Sequence, residues 1–177
     1  ALSEKISNST GIVKSLNNIG MHYCDDRQFE KAEEYFNRSY TLSQAIGNKQ
    51  LQSRCLNFIG ALHQALANYP QSIDYYLKSI AIREDLGDSL GIGMVYGNLG
   101  YVYQNMGEFD NADKYISRAL AISTALKDTL AVIANHINLG LLYVHKDPER
   151  AMSHYQAGLT LAEKTGDLER IAILLGN

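Results

Sequence analysis

Residues 97–103 read GNLGYVY, and the same pattern occurs three more times in the chain. It is NNIGMHY from residue 17, NFIGALH from residue 57 and INLGLLY from residue 137. In every copy a glycine follows Ile or Leu, and a tyrosine or histidine stands three residues after that glycine. The four glycines, forty residues apart, are Gly20, Gly60, Gly100 and Gly140. A fixed spacing of this kind predicts that one structural unit is repeated along the chain.

A second motif follows each copy of the first. It pairs a small residue with a large apolar residue four positions later, in most copies an aromatic one. The pairs are Ala32 with Phe36, Ser72 with Tyr76, Ala112 with Ile116, and Ala151 with Tyr155. The last pair arrives one residue early, which predicts a one-residue deletion in the preceding turn, HKDPE (residues 145–149).

The pattern predicts two helices in each repeat. We expect the first helices to begin after N-cap residues, whose side chains accept hydrogen bonds from free backbone N–H groups. These are Asn8, Asn48, Asp88, Asp128 and Asp167. The first helices are predicted to end near residues 25, 66, 106 and 145, and the second near Ile46, Leu86, Leu126 and Thr165. Gly47, Gly87 and Gly166 then supply left-handed residues that end a helix, whereas Lys127 predicts a weaker stop.

The two motifs resemble those of the tetratricopeptide repeat, which read Trp-x2-Leu-Gly-x2-Tyr and Ala-x3-Phe, followed by Pro. Leu16, Leu56, Tyr96 and His136 replace the Trp, and Gln44, Glu84, Thr124 and Glu163 replace the Pro. Without that Pro the second helix can continue, which explains a period near forty. The longer period resembles the subgroup of spindle-orientation adaptors, kinesin light chains and bacterial peptide-sensing regulators. The resemblance implies an all-α fold, a right-handed superhelical solenoid of antiparallel helix pairs.

The repeats divide the chain into one array with an incomplete repeat at either end. Full repeats are predicted at 8–47, 48–87, 88–127 and 128–166, with 1–7 as the end of a preceding repeat and 167–177 as the start of a further one. Because both ends fall inside a repeat, we expect a fragment of a longer protein.

Charge is distributed unevenly between the two kinds of helix. Residues 89–106 and 129–145 contain no Asp, Glu, Lys or Arg, whereas the second helices carry charges of both signs.

The resemblance implies that the first helices line a concave groove, to which family alignment assigns a set of amide, aromatic and aliphatic residues. The candidate partner-binding residues are Asn17, Asn18, Met21, Asn57, Phe58, Asn98, Tyr101, Asn105, Asn138 and Leu141. Lys14, Arg54 and Met94 belong to the wider groove set. Such a surface suits an extended or helical peptide.

Three of these asparagines, Asn18, Asn98 and Asn138, occupy the same repeat position. In related peptide-binding proteins an asparagine here holds the peptide backbone, which an amide can do because it is both donor and acceptor. The alternative is that these side chains cap or brace the neighbouring helix.

Several other functions are disfavoured. The net charge of -3 and pI near 5.9 argue against nucleic acid, and no apolar run is long enough to span a membrane. The five histidines lack metal-ligand spacing, so no metal and no cofactor are expected. Cys24 and Cys55 are predicted to lie roughly 13 Å apart along their helices, too far for a disulfide. No phosphate-binding loop or catalytic arrangement is found, so we do not expect an enzyme.

The sequence therefore favours a non-catalytic protein- or peptide-binding module of a larger regulatory or signalling protein, with a cytoplasmic location. Two alternatives remain open. One is a structural scaffold that binds partners through its convex face or self-associates through exposed terminal repeats. The other is an accessory domain of an enzyme whose catalytic domain lies elsewhere.

Overall fold

The computed structural model describes residues 2–167 and 170, with side chains from residue 8 onward. This part of the chain contains eight α-helices and no strand. They are α1 (Leu2–Asp25), α2 (Phe29–Ala45), α3 (Lys49–Ala65), α4 (Tyr69–Asp85), α5 (Ser89–Asn105), α6 (Phe109–Ala125), α7 (Thr129–Tyr143) and α8 (Pro148–Thr165). The all-α repeat fold is confirmed. The chain forms two compact units, one containing α1–α4 and the other α5–α8, with the boundary after Asp88.

The turns between repeats follow the predicted chemistry. Gly47, Gly87 and Gly166 have φ values of 68°, 66° and 69°, in the left-handed region that glycine adopts at little cost. After α2, the N–H of Asn48 donates to the carbonyl of Ser43 at 3.1 Å, which closes a Schellman motif. The side chain of Asn48 also accepts from the N–H of Leu51 at 3.0 Å and so caps α3. One asparagine thus ends one helix and starts the next.

Lys127 occupies the glycine position of the third repeat and still adopts a φ of 56°. A side chain in this conformation costs energy that glycine avoids, so the surrounding turn must impose it. Asp128, the next residue, accepts from the N–H of Ala131 at 3.1 Å, as predicted for an N-cap. Asp167 caps in the same way, accepting from the N–H of Arg170 at 3.1 Å.

The predicted deletion in the fourth repeat is confirmed. Helices α2, α4 and α6 begin forty residues apart, but α8 begins at Pro148, one residue before the next step of forty. Asp147 caps α8 by accepting from the N–H of Arg150 at 3.0 Å. Proline suits this position because the first helical turn has no intrahelical partner for an N–H.

The predicted helix start at Asn8 is wrong. Helix α1 runs without a break from Leu2 to Asp25 and passes through Asn8. The glycine that turns the chain after α2 and α4 is replaced by Ser7 at the equivalent position. A serine favours the right-handed helical conformation, so the sequence gives no local signal to turn at Ser7 and the helix continues. At Lys127 the turn is instead held between helices α6 and α7, which pack against each other.

Each helix pair is built around the repeated glycine. A Cβ atom at Gly20 would lie 2.5 Å from Cε1 of Phe36, and one at Gly60 would lie 2.8 Å from Cδ1 and Cε1 of Tyr76. The same added atom would overlap the side chains that face the two later glycines, Ile116 and Tyr155. The first motif therefore supplies the space that the large residue of the second motif fills.

A pair of stacked rings adjoins this contact in all four repeats. Tyr23 stacks on Tyr35, His63 on Tyr75 and Tyr103 on Tyr115, each with 5.3 Å between ring centroids, and Tyr143 stacks on His154 at 6.1 Å. The second ring always precedes the large residue of the second motif by one position. His63 thus packs as an aromatic ring. The second rings were not identified from the sequence.

Both cysteines are free, as predicted. Cys55 is buried and Cys24 half-buried. Burial, together with the nearby Asp25 carboxylate, raises the pKa of the Cys24 thiol.

Substitution of Gly60 by alanine tests the packing role of the repeated glycine. The added methyl group must displace the buried ring of Tyr76, and overpacking of this kind typically costs ~1–3 kcal/mol. Gly11→Ala is the matched control, because Gly11 is helical with no atom within 4 Å of an added Cβ. We expect Gly60→Ala to lower the free energy of unfolding in urea, and Gly11→Ala to raise it by up to ~1 kcal/mol. Equal stability of the two variants would contradict the packing role.

Candidate functional site

In the second unit, the first helices expose an apolar surface. Five aliphatic or aromatic residues of α5 and α7 are between 42% and 65% exposed. They are Leu90, Met94 and Tyr101 on α5, and Leu130 and Leu141 on α7. Neither helix carries a formal charge, and the two helices contact each other directly. The surface is therefore continuous across two adjacent helices.

The predicted asparagines of this unit lie along the same surface. Asn98 and Asn105 are three residues before and four residues after Tyr101, on one side of α5, and Asn138 precedes Leu141 by three residues on α7. Asn105 is exposed, while Asn98 and Asn138 are half-buried. Asn98 already takes part in an interaction within the chain. We name this surface the α5/α7 face, formed by Leu90, Met94, Asn98, Tyr101, Asn105, Leu130, Asn138 and Leu141.

Two members of the α5/α7 face, Leu90 and Leu130, were missed from the sequence. Each lies eleven residues before the aromatic or aliphatic residue that was predicted, Tyr101 or Leu141. Eleven residues are close to three helical turns, so both members of each pair fall on one side of the helix. That eleven-residue spacing was the signal in the sequence that could have identified Leu90 and Leu130.

The first unit presents a more polar surface on α1 and α3. Asn18 and Met21 are exposed, as are the charged residues Lys14 and Arg54. Asn57 is half-buried and interacts within the chain.

Phe58 is only partly available to a partner. Its ring is half-buried and stacks on Phe36 with 5.6 Å between centroids. The guanidinium carbon of Arg54 lies over the Phe58 ring, 5.8 Å from its centroid. Phe58 therefore packs in the core through its ring and lies next to Arg54, which leaves only part of its side chain accessible to a ligand.

Asn17 does not belong to the exposed surface, which corrects its prediction as a partner-binding residue. It is 2% exposed, and its Nδ2 donates to the Sγ of Cys55 at 3.5 Å. Helical periodicity explains the error, because Val13, Asn17 and Gly20 are spaced i, i+4, i+7 and all three are buried. Its Oδ1 accepts no hydrogen bond from the described residues.

A second polar cluster lies in the fourth repeat. Nδ1 of His136 is 3.1 Å from Nδ1 of His154, so one nitrogen donates and the other accepts. Burial lowers the pKa of both side chains; His154 lowers that of His136 further, and Arg150 lowers that of His154, against an opposing effect of Asp113. The counterpart in the third repeat is the ring pair Tyr96–Tyr115, with a similar separation and tilt.

Next to this pair, residues of α6, α7 and α8 line an open cavity of about 310 Å³. Lys146 is 3.6 Å from Asp110, and Arg150 is 3.6 Å from Asp113 while also lying over the ring of Tyr143. Burial, and then the hydrogen bond to Asp113, raise the pKa of Tyr143 to about 12. The two cationic side chains of the cavity are thus each paired with a carboxylate.

The described residues also bear on metal binding and on membrane spanning. Among residues 2–167 and 170, no group of three or more His, Cys, Asp or Glu side chains is arranged to hold a metal ion. Within the same part of the chain, none of the helices has the length and apolar character needed to cross a membrane.

Comparison with known proteins agrees with this architecture. The family model described as tetratricopeptide repeat matches residues 11–85 and 91–164. A search of curated proteins found no match. Among solved structures, a signal transduction ATPase with numerous domains and a tetratricopeptide repeat sensor, from Pyrococcus horikoshii, aligns with a TM-score of 0.80 at 17% identity over 92% of this chain and 25% of that one.

Two further structures are similar. The Rap conjugation gene regulator of plasmid pLS20, in complex with the Phr* peptide, aligns with a TM-score of 0.76 at 20% identity over 93% of this chain and 46% of that one. A putative kinesin light chain from Podosopora anserina aligns with a TM-score of 0.72 at 14% identity over 86% of this chain and 76% of that one. At these identities the similarity establishes the fold alone. The chain spans less than half of the ATPase and of the Rap regulator.

The histidine pair predicts a pH dependence of stability. Because both pKa values are lowered in the folded chain, the unfolded chain binds more protons as the pH falls below the ordinary histidine value near 6.5. We expect the free energy of unfolding to fall between about pH 7 and pH 5. The double variant His136→Tyr, His154→Tyr copies the Tyr96–Tyr115 pair and should reduce that fall. The midpoints of urea unfolding across this pH range measure the fall in stability. An equal fall in the double variant and in the unchanged chain would contradict the role given to the histidine pair.

Proposed function

Because the chain belongs to the tetratricopeptide repeat family, whose repeats are generally non-catalytic interaction modules, we propose that it binds a peptide segment of a partner protein through the α5/α7 face. The observation that carries the proposal is the run of exposed apolar side chains on two adjacent, uncharged helices. Large exposed apolar patches are uncommon on monomeric proteins and often mark interaction sites.

The chemistry of the α5/α7 face indicates what kind of segment would bind. Burial of a Leu, Met or Tyr side chain against a ligand contributes roughly 1.5–3 kcal/mol, so Met94, Tyr101 and Leu141 together could anchor a short peptide. A charged group brought onto this surface would lose water and find no opposite charge on either helix. The segment that contacts α5 and α7 is therefore expected to be apolar and uncharged.

Asparagines beside the apolar anchors suit the backbone of such a segment. Asn138 is half-buried, and no hydrogen bond to its side chain is found among the described residues. Its amide could donate to a peptide carbonyl and accept from a peptide N–H without regard to the side chain. The Rap regulator, whose repeats share this fold, is in complex with a peptide, which supports the same class of ligand here.

In the first unit, the α1 and α3 surface would make a different kind of contact. Lys14 and Arg54 are exposed there, and Met21 is the large apolar side chain beside Asn18. These residues would favour a polar or acidic ligand. A role in a regulatory or signalling protein fits a module of this kind.

A peptide-display screen followed by titration tests the proposal. Any peptide selected on the 177-residue chain should lose affinity by ~100-fold or more in the triple variant Met94→Ala, Tyr101→Ala, Leu141→Ala, because each anchor is worth more than ~1 kcal/mol. The matched control is Leu77→Ala, Leu126→Ala, Met152→Ala, which removes equally exposed apolar side chains outside the first helices. We expect this control to bind normally, as measured by fluorescence anisotropy.

The opposite result, with binding lost only in the control variant, would contradict the proposal. It would place the interaction on the second helices and favour the scaffold function. Failure to select any peptide that binds more tightly than ~100 μM would also count against a peptide-binding face.

A further inference from the structure

A stripe of α1 outside the candidate binding surface is exposed where its counterparts are buried. Ile12 and Ile19 are 44% and 39% exposed, and Leu16 between them is half-buried. The equivalent residues of the second repeat, forty positions later, are Gln52, Leu56 and Ile59, which are 7%, 3% and 2% exposed. The first repeat therefore presents a surface that is covered in the second.

The covered copies show what kind of element fits this surface. Ile59 packs in one cluster with Ala32 and Phe36 of the preceding helix, α2. The Nε2 of Gln52 donates to the Ser43 carbonyl of the same helix at 3.3 Å. In the second unit, Leu139 packs with residues of the preceding helix α6 in the same way. In each case an antiparallel helix covers the surface.

In the first repeat the corresponding surface is an open groove of about 680 Å³ between α1 and α2. Ile12, Leu16, Leu42 and Ala45 form its apolar part, and Glu34 and Arg38 line its rim. The two rim residues have opposite charges and are both well exposed. The lining of the groove thus combines apolar side chains with one charged residue of each sign.

We propose that this surface pairs with the same surface of a second copy of the chain, with the two α1 helices antiparallel. The stripe Ile12, Leu16, Ile19 is spaced i, i+4, i+7, so a twofold axis near Leu16 brings Ile12 of one copy against Ile19 of the other. Antiparallel pairing also reproduces how α2 covers α3. A self-complementary stripe of this kind is what a twofold interface requires.

The charged residues of α1 do not oppose the antiparallel pairing of two copies. Between Lys5 and Asp25, the only Asp, Glu, Lys or Arg of α1 is Lys14. It stands two residues from both Ile12 and Leu16, which places it on the opposite side of the helix. Two copies therefore meet without like charges at the centre, and Glu34 of each can face Arg38 of the other across the rim.

The dimer should be weak. Three partly exposed aliphatic side chains on each copy form a contact below the size of a standard stable interface, which is typical of transient association. We expect a Kd on the order of 100 μM.

Sedimentation velocity of the 177-residue chain from ~10 μM to ~1 mM, a range that spans the expected Kd, tests the proposal. The sedimentation coefficient should rise towards that of a dimer, and the variant Ile12→Glu, Ile19→Glu should remain monomeric throughout. The matched control Leu77→Glu, Met152→Glu also places charge on exposed apolar positions and should dimerise normally. Circular dichroism establishes that both variants remain helical. A chain that stays monomeric at ~1 mM, or a dimer that persists in the α1 variant, would overturn the proposal.

Crosslinking tests the antiparallel arrangement separately. The variant Leu16→Cys places a thiol next to the twofold axis, so mild oxidation should produce a disulfide-linked dimer. Met152→Cys, on α8, should produce much less. If Leu16→Cys dimerises but does not crosslink, the antiparallel pairing of α1 is wrong.

Discussion

The fold depends on the contact between a glycine in the first helix of each repeat and a large side chain in the second. Gly20 and Gly60 give this space to the rings of Phe36 and Tyr76, and the two later repeats use the same arrangement. Because the contact fixes which side of the first helix faces its partner, it also fixes which side stays exposed. Met21, Tyr101 and Leu141, each directly after such a glycine, are exposed for this reason.

Much of this arrangement could be predicted from the sequence, because the spacing of glycines and caps determines local structure directly. The helix pairs, the left-handed turns at Gly47 and Gly87 and the deletion before α8 all followed from it. Asn8 and Asn17 were misjudged for physical reasons. The first follows a serine, which favours continuation of the helix, and the second shares the buried side of α1 with Val13.

Contacts between repeated positions were harder to predict than the positions themselves. The stacked rings and the His136–His154 pair depend on which residues meet across two helices, and the spacing along one helix does not give that.

The distribution of charge is easier to explain once the packing is known. The second helices turn one side to water, where intrahelical pairs such as Arg38–Glu34 and Lys78–Asp74 form, while α5 and α7 expose apolar residues suited to a partner.

A double-mutant cycle at Gly140 and Tyr155 tests most directly whether the repeated glycine is required by the side chain opposite it. Gly140→Ala should destabilise the otherwise unchanged chain by ~1–3 kcal/mol, because the methyl group overlaps the Tyr155 ring. In the Tyr155→Ala background the same change should be neutral or stabilising, since alanine favours the helix and the ring is gone. An equal cost in both backgrounds would contradict the account.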